Sequence, residues 1–191
     1  GVVISRRSLF NFIEGMKPIY PDTPILTLGN PAFDAFLIES IVALFHGRTL
    51  VLAEDREAYS AGALARLISE YDVGMISLTP SRLQAYLSEA SFRQAIGGLK
   101  CILCGGEAFS PALLSRLARL TCARIVNQYG PSEATVGVSY AWLNETEPTT
   151  AGKPMPGCQL FILDAHRQPL PRGVTGELYL GGEGLALGYD Q

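Results

Sequence analysis

The chain is poor in charge, histidine and tryptophan. Charged residues make up 17% of its 191 positions, and the formal net charge is only −3. Nothing in that balance favours a nucleic-acid partner, which a strongly basic surface would signal. There are two histidines. His46 adjoins Gly47 at the expected end of a helix, and His166 lies in a turn, so no Ser-His-Asp arrangement is spaced along the chain. The single tryptophan, Trp142, reads as a core or interface residue. No apolar run is long enough to cross a membrane, so no membrane partner is expected. Residues 1–7 lack the basic-then-apolar layout of a secretory signal, and cytoplasmic residence is expected. Cysteine is also scarce, with four in all. Cys101 and Cys104 have a CxxC spacing, but they sit in a strand-like run where residues three apart face opposite sides. No second pair completes a metal set, so buried free thiols are expected.

What is present is enough for a substantial core. Hydrophobic residues reach 48%, which places the chain among globular proteins. Its length suits one large domain or two small ones. Helix-start chemistry recurs along it. Ser5 precedes Leu9, Phe12, Ile13 and Met16 at helical spacing. Asn30-Pro31 reads as a cap and first helical residue, followed by Phe33, Leu37, Ser40, Ile41, Leu44 and Phe45 up to Gly47. Ser60 opens a helix through Leu64, Leu67, Ile68 and Tyr71. Pro80 opens one carrying Leu83, Tyr86 and Leu87, and Ser110-Pro111 one carrying Leu114 and Leu117. Strand-like runs at 24–29, 49–53, 73–78, 101–104 and 125–126 alternate with these helices. The fold class is therefore α/β, a mostly parallel sheet flanked by helices. Beyond Val136 the pattern changes to strands at 136–142, 159–163 and 177–180, separated by Pro- and Gly-rich turns. Two units are expected: an α/β subdomain over 1–143 that carries the site, and a smaller β-rich subdomain over 144–191.

Ligands of such sheets bind beyond the carboxyl ends of the strands. Three polar segments fall there: Asn30 to Asp34, Gly105-Gly106-Glu107, and Asn127-Gln128-Tyr129-Gly130-Pro131-Ser132-Glu133. The last run joins an amide, a flat ring suited to stacking on a base, a turn, a hydroxyl suited to phosphate and a carboxylate suited to a hard cation. Those groups suit a magnesium nucleotide, and equally a polar strand-to-loop turn. Asp34, in the first turn of the expected helix, is explained by the helix dipole alone.

Taken together, these segments resemble the adenylate-forming (AMP-binding) enzymes, and most closely the amino-acid-activating adenylation domains of nonribosomal peptide synthetases. Phe33-Asp34-Ala35-Phe36 is similar to the FDxS motif of that family, Gly105 to Pro111 to its GGEALSP segment, and Asn127 to Glu133 to NxYGPTE, with Ser132 for the usual Thr. Gly152-Lys153-Pro154, Gly157 and Gly176 to Gly182 follow in the family's order, so the resemblance covers nearly the whole chain.

The resemblance implies a ligase that joins ATP and an amino acid into aminoacyl-AMP and pyrophosphate. The acyl group then passes to the phosphopantetheine thiol of a peptidyl carrier domain among neighbouring synthetase modules, in secondary-metabolite synthesis. Tyr129 is implied to stack on adenine, and Gly106, Glu107 and Asn127 to line its edge, the first two largely through backbone. Ser132 is implied to contact phosphate and Glu133 to bind Mg2+. Asp34 is implied to pair with the substrate α-ammonium, helped by the carbonyls of Gly130 and Val136. The side-chain pocket is implied to be lined by Ala35, Ile38, Ser77, Leu103, Gly105, Gln128, Val136 and Gly137. A medium or large side chain fits that set, and a buried, unpartnered Gln128 would favour a polar one.

Leu187 stands where the family usually has Arg. The phosphate loop expected before Gly1, the ribose-binding aspartate expected after Gln191 and the C-terminal subdomain with its lysine lie outside the chain. An internal fragment that adenylates poorly by itself is therefore expected. An acyl- or aryl-CoA synthetase, or a noncatalytic nucleotide-binding scaffold, is the alternative.

Overall fold

A computed structural model describes residues 1–190. Its centre is a seven-stranded sheet in the order β3-β2-β4-β5-β6-β7-β8. The strands are β2 (Ile25–Thr27), β3 (Leu50–Leu52), β4 (Met75–Leu78), β5 (Cys101–Gly105), β6 (Arg124–Tyr129), β7 (Ser139–Leu143) and β8 (Lys153–Pro154). β3, β2, β4, β5 and β6 run parallel. β7 and β8 close one edge antiparallel. Two small antiparallel pairs stand apart: β9 (Cys158–Leu163) with β10 (Glu177–Gly182), and β1 (Val2–Val3) with β11 (Gly188–Tyr189). The α/β class and the β-rich end are as the sequence predicts. No helix among the described residues is long and apolar enough to cross a membrane.

Alternate strand residues feed two cores, because successive side chains of a strand face opposite sides. On one face Leu26, Ile76, Ile102, Cys104 and Ile125 pack with Leu64 and Ile68 of α4 (Ala61–Glu70), Leu83 of α5 (Pro80–Tyr86), Phe92 of α6 (Ala90–Ala95) and Leu117 of α7 (Pro111–Ala118). On the other, Ile25, Met75, Cys101, Leu103 and Val126 pack with Phe12, Ile13 and Met16 of α1 (Arg6–Met16) and with Ile38, Val42 and Ala43. Cys101 and Cys104 thus lie in opposite cores as free thiols. Burial pushes the Cys101 thiol up to about 12 and the Cys104 thiol higher still, so neither is poised for redox chemistry.

The expected caps form where side-chain chemistry is local. Ser5, Ser60 and Ser110 accept from the backbone N–H three residues on. Thr79 caps α5, with Pro80 in its first turn. Two short helices escape the periodicity, α3 (Asp55–Ala58) and α6. Each is too brief to show a repeating apolar face.

The helix expected from Pro31 to Phe45 is different. Asn30 does accept from Ala32 N–H at 2.8 Å. The chain then runs through successive turns, with Leu37 N bonded to Asp34 O and Ile38 N to Ala35 O. It widens into a π-helical turn, Ile38–Val42, before a short α2 (Ala43–Phe45). The buried residues are Ile38, Glu39, Ser40, Val42 and Ala43, whereas Phe33, Ile41, Leu44 and Phe45 are exposed. The inward face is therefore rotated from the one that the apolar residues mark. Gly47 ends the segment at φ +68 as expected.

Candidate functional site

The parallel strands β2, β4, β5 and β6 end at one rim, and two cavities open there. The first, of about 310 Å3, is lined by Asp34, Ala35, Ile38, Ser77, Leu103, Gly105, Gln128, Gly130 and Val136, together with Gly29, Glu39, Tyr59, Thr79, Arg82 and Gly106 among others. Of the expected amino-acid positions all but Gly137 are on its wall. Gly137 sits behind it: a Cβ there would lie 2.3 Å from Gln128 Nε2, so a glycine lets the amide lie flat against the backbone. Gln128 is buried, and its Nε2 donates to Met16 Sδ at 3.2 Å. The amide therefore has an internal partner, although a thioether is a weak acceptor. That removes the expected argument for a polar substrate.

The second cavity, of about 570 Å3, is lined by Gly106, Glu107, Ala108, Phe109, Asn127, Gln128, Tyr129, Gly130 and Pro131, closed by Thr149 to Ala151. It holds Gly106, Glu107, Asn127 and Tyr129, the expected adenine set. Tyr129 is 40% exposed and lines this cavity, a position suited to stacking. Asn127 Nδ2 is tied to Thr150 O at 2.7 Å, which fixes the amide. The Glu107 carboxylate turns away, accepting from Ser81 N (2.9 Å) and Ser81 Oγ (2.7 Å) at the start of α5. Those Ser81 bonds hold its carboxyl below the usual range. The side chain is thereby fastened to α5. Gly106, Gln128 and Gly130 border both cavities, so ligands in the two would meet at the end of β6.

The loop after β6 is built from close backbone approaches. Val138 N returns to Tyr129 O at 2.8 Å. Thr135 (φ 58) and Val136 (φ 67) are both left-handed, a strained state for β-branched residues that clusters at functional sites. Thr135 Oγ1 donates to Gly184 O at 2.7 Å, and Ala186 N to Glu133 O at 2.8 Å, so the segment 184–186 holds the loop in place.

Ser132 and Glu133 lie on a 3-10 turn, Ser132–Ala134, in this loop, and neither lines the two cavities. Ser132 Oγ donates to Asp34 Oδ2 at 2.5 Å, across 98 residues of sequence. Asp34 is thus held by a hydroxyl, and among the described residues its carboxylate accepts no backbone N–H from the helical stretch that begins at Phe36. Both residues also border a third cavity against Ile4, Ser5 and Arg6. Glu133 Oε1 accepts from the Tyr189 hydroxyl at 2.6 Å, and that bond lowers its carboxyl from the usual value. No cluster of three or more His, Cys, Asp or Glu suited to a metal exists among the described residues. An exposed single carboxylate still fits Mg2+, which takes one or two protein carboxylates and draws its other ligands from phosphate and water.

Sequence reasoning missed Glu39. It is 4% exposed and accepts from Leu28 N and Gly29 N, both at 2.7 Å. Burial pushes its carboxyl up to about 7, against the opposing pull of those two N–H bonds and of Arg82. The available signal was the stripe Ile38-Glu39-Val42-Ala43, which has helical spacing but is interrupted by a charge. Because the native state holds this proton more tightly than the unfolded chain, the Glu39 contribution is fully present below pH 4.5. It is lost as pH rises through about 7. Glu39→Gln should remove that slope. The stability of wild type relative to Glu39→Gln is expected to fall by about 3 kcal/mol between pH 4.5 and 7.5, measured by chemical unfolding at each pH.

Comparison with known proteins agrees with this geometry. The family of AMP-binding enzymes matches residues 1–190. A dimodular nonribosomal peptide synthase of Bacillus subtilis (strain 168) is 35% identical over 194 residues, covering 99% of this chain and 8% of that protein. Tyrocidine synthase 3 of Brevibacillus parabrevis is 33% identical over 198 residues, covering 100% of this chain and 3% of its own length. The chain therefore spans a small part of the curated relatives it matches. Among solved structures, the four-domain nonribosomal peptide synthetase AB3403, bound to AMP and glycine, has a TM-score of 0.86 at 27% identity, over 98% of this chain and 15% of that one. IdnL1 has a TM-score of 0.89 at 28% identity, over 99% and 41%. With the family match running from end to end, the chain belongs to the AMP-binding enzymes and resembles the adenylation domains of nonribosomal peptide synthetases.

Proposed function

We propose that this chain forms the substrate-binding part of an amino-acid-activating ligase, which uses ATP to make an aminoacyl-AMP for transfer to a carrier domain. The observation that carries the reading is the pair of cavities sharing Gly106, Gln128 and Gly130, with the Asp34 carboxylate on the wall of the first. The amino acid occupies the first cavity, its ammonium against Asp34 and the carbonyls of Gly130 and Val136. An ammonium taken out of water needs such partners. Adenine lies in the second cavity on Tyr129, beside Asn127 and the backbone of Gly106-Glu107. A carboxylate oxygen of the amino acid attacks the α-phosphorus. A C–O–P bond forms, the bond to the pyrophosphate oxygen breaks, and pyrophosphate leaves with its electron pair.

Positioning and charge neutralisation supply most of the acceleration in such a displacement. The Ser132 hydroxyl, released from Asp34 as the ammonium takes its place, would donate to a phosphate oxygen, and Glu133 would hold Mg2+. When bound, the ion would neutralise phosphate charge. The acyl group then passes to a phosphopantetheine thiol, forming a thioester and releasing AMP.

The test is direct detection of product. The protein that carries this chain is incubated with ATP, Mg2+ and a panel of amino acids, and an aminoacyl-AMP is sought by mass spectrometry. Its formation with a subset of amino acids is the expected result. Adenylates formed only from amine-free acids would refute the reading. Tyr129→Ala is expected to raise the ATP KM about tenfold, the size of a lost base stack, while the amino-acid KM stays within about twofold. Equal effects on both would remove Tyr129 from the nucleotide side.

A further inference from the structure

Glu39 takes no part in the reading above, yet it is the only carboxylate in the buried class among the described residues. We propose that Glu39 is a positioning residue for the amino-acid site, fastening the end of β2 to the π-helical turn and so fixing where the 30–38 segment presents Asp34. The proposal rests on the amino-acid reading of the first cavity.

Three consecutive residues at the end of β2 are bonded to this one position. Thr27 Oγ1 donates to the Glu39 carbonyl at 2.9 Å, and Leu28 N and Gly29 N donate to its Oε2 at 2.7 Å each. Gly29 is part of the clamp: a Cβ there would come to 3.2 Å from the same oxygen. Between the two ends of the clamp, residues 31–35 form only turns and a bend, and the helical residues start at Phe36, so Asp34 lies ahead of the helix and is not fixed within it. The wide turn is anchored again by Tyr20, whose hydroxyl donates to Ile38 O. Glu39 Oε1 accepts no hydrogen bond from the described residues, and the side chain borders the cavity. Within the side chain, one carboxylate oxygen therefore holds both backbone donors. An amide oxygen can do the same, whereas a methyl group cannot, and would leave two backbone donors without their acceptor.

The test uses Glu39→Ala and Glu39→Gln in the protein that carries this chain. Two readouts are taken: KM for amino acid and for ATP, and amide hydrogen exchange at Leu28 and Gly29 without ligand. Glu39→Ala should raise the amino-acid KM about tenfold or more with the ATP KM within about twofold, and Glu39→Gln should restore the first to within about threefold. Exchange at the two amides should be fast in Glu39→Ala and protected in Glu39→Gln. If Glu39→Ala does not fold, Glu39→Asp, one methylene too short to reach, replaces it with the same expectation.

Unchanged KM values, a parallel rise in both, failure of Gln to restore, or undiminished amide protection in Glu39→Ala would each overturn the proposal. A wild-type protein with no amino-acid activity would refute the functional reading instead. The exchange measurement would then decide the clamp, with undiminished protection in Glu39→Ala again overturning it.

Discussion

Replacing Asp34 with alanine is expected to lower kcat/KM for the amino acid by about two to three orders of magnitude, with ATP binding little changed. Truncating one partner of a desolvated, hydrogen-bonded charge pair costs about 2–5 kcal/mol, and each 1.4 kcal/mol is about tenfold. The wall of the first cavity offers no substitute carboxylate in the same place. Glu39 lies against the end of β2, with one oxygen committed to Leu28 and Gly29. Asp34→Asn should fall nearly as far, because it keeps the shape but loses the charge. Steady-state kinetics over a range of amino-acid concentrations checks both. Since Ser132 donates to Asp34 Oδ2, the alanine variant also frees that hydroxyl. Asp34→Ala and Ser132→Ala should therefore be non-additive, as residues in direct contact are. Full amino-acid activity in Asp34→Ala would remove the ammonium role.

The second large effect is expected at Gly130. A Cβ there would lie 2.4 Å from Gly137 Cα, 2.8 Å from Val138 N and 2.9 Å from Gly137 C, all backbone atoms. No flexible side chain can give way, so the returning strand must move. That return is already tight, with left-handed Thr135 and Val136 just before it. Gly130→Ala should destabilise the protein by about 3 kcal/mol, the upper part of the usual overpacking range, measured by chemical unfolding. Because Gly130 borders both cavities, KM for amino acid and for ATP should rise together, unlike the selective losses at Asp34 and Tyr129. A variant with unchanged unfolding and unchanged KM values would show that the two backbones are not in contact.

Much of this was legible in the sequence because the controlling interactions are short in range. Ser5, Ser60 and Ser110 declare their helices through bonds to residues three positions away. The alternation of such helices with apolar runs leads to a parallel sheet, and the sheet places the polar segments at one rim. The CxxC pair was readable for the same reason, since strand geometry alone sends Cys101 and Cys104 to opposite cores.

Where the reading departed, the cause was long-range. The 30–45 segment has helical capping chemistry at Asn30 and apolar residues at helical spacing. Tertiary bonds from Tyr20, Thr27, Leu28 and Gly29 nevertheless rotate and widen it. They draw Glu39 inward and leave Phe33, Leu44 and Phe45 exposed. The Ser132–Asp34 and Tyr189–Glu133 bonds join segments 98 and 56 residues apart. Motif order brought each of these residues to notice separately, but no local pattern joins them.

The central claim is that Asp34 makes the first cavity an α-amino-acid site beside a nucleotide site. It is tested most directly by ATP–pyrophosphate exchange in the protein that carries this chain. Each amino acid is compared with the matching acid that lacks the α-amine. Exchange with a subset of amino acids, about a hundredfold or more above their amine-free counterparts, is the predicted result. Equal or greater exchange with the amine-free acids would contradict it.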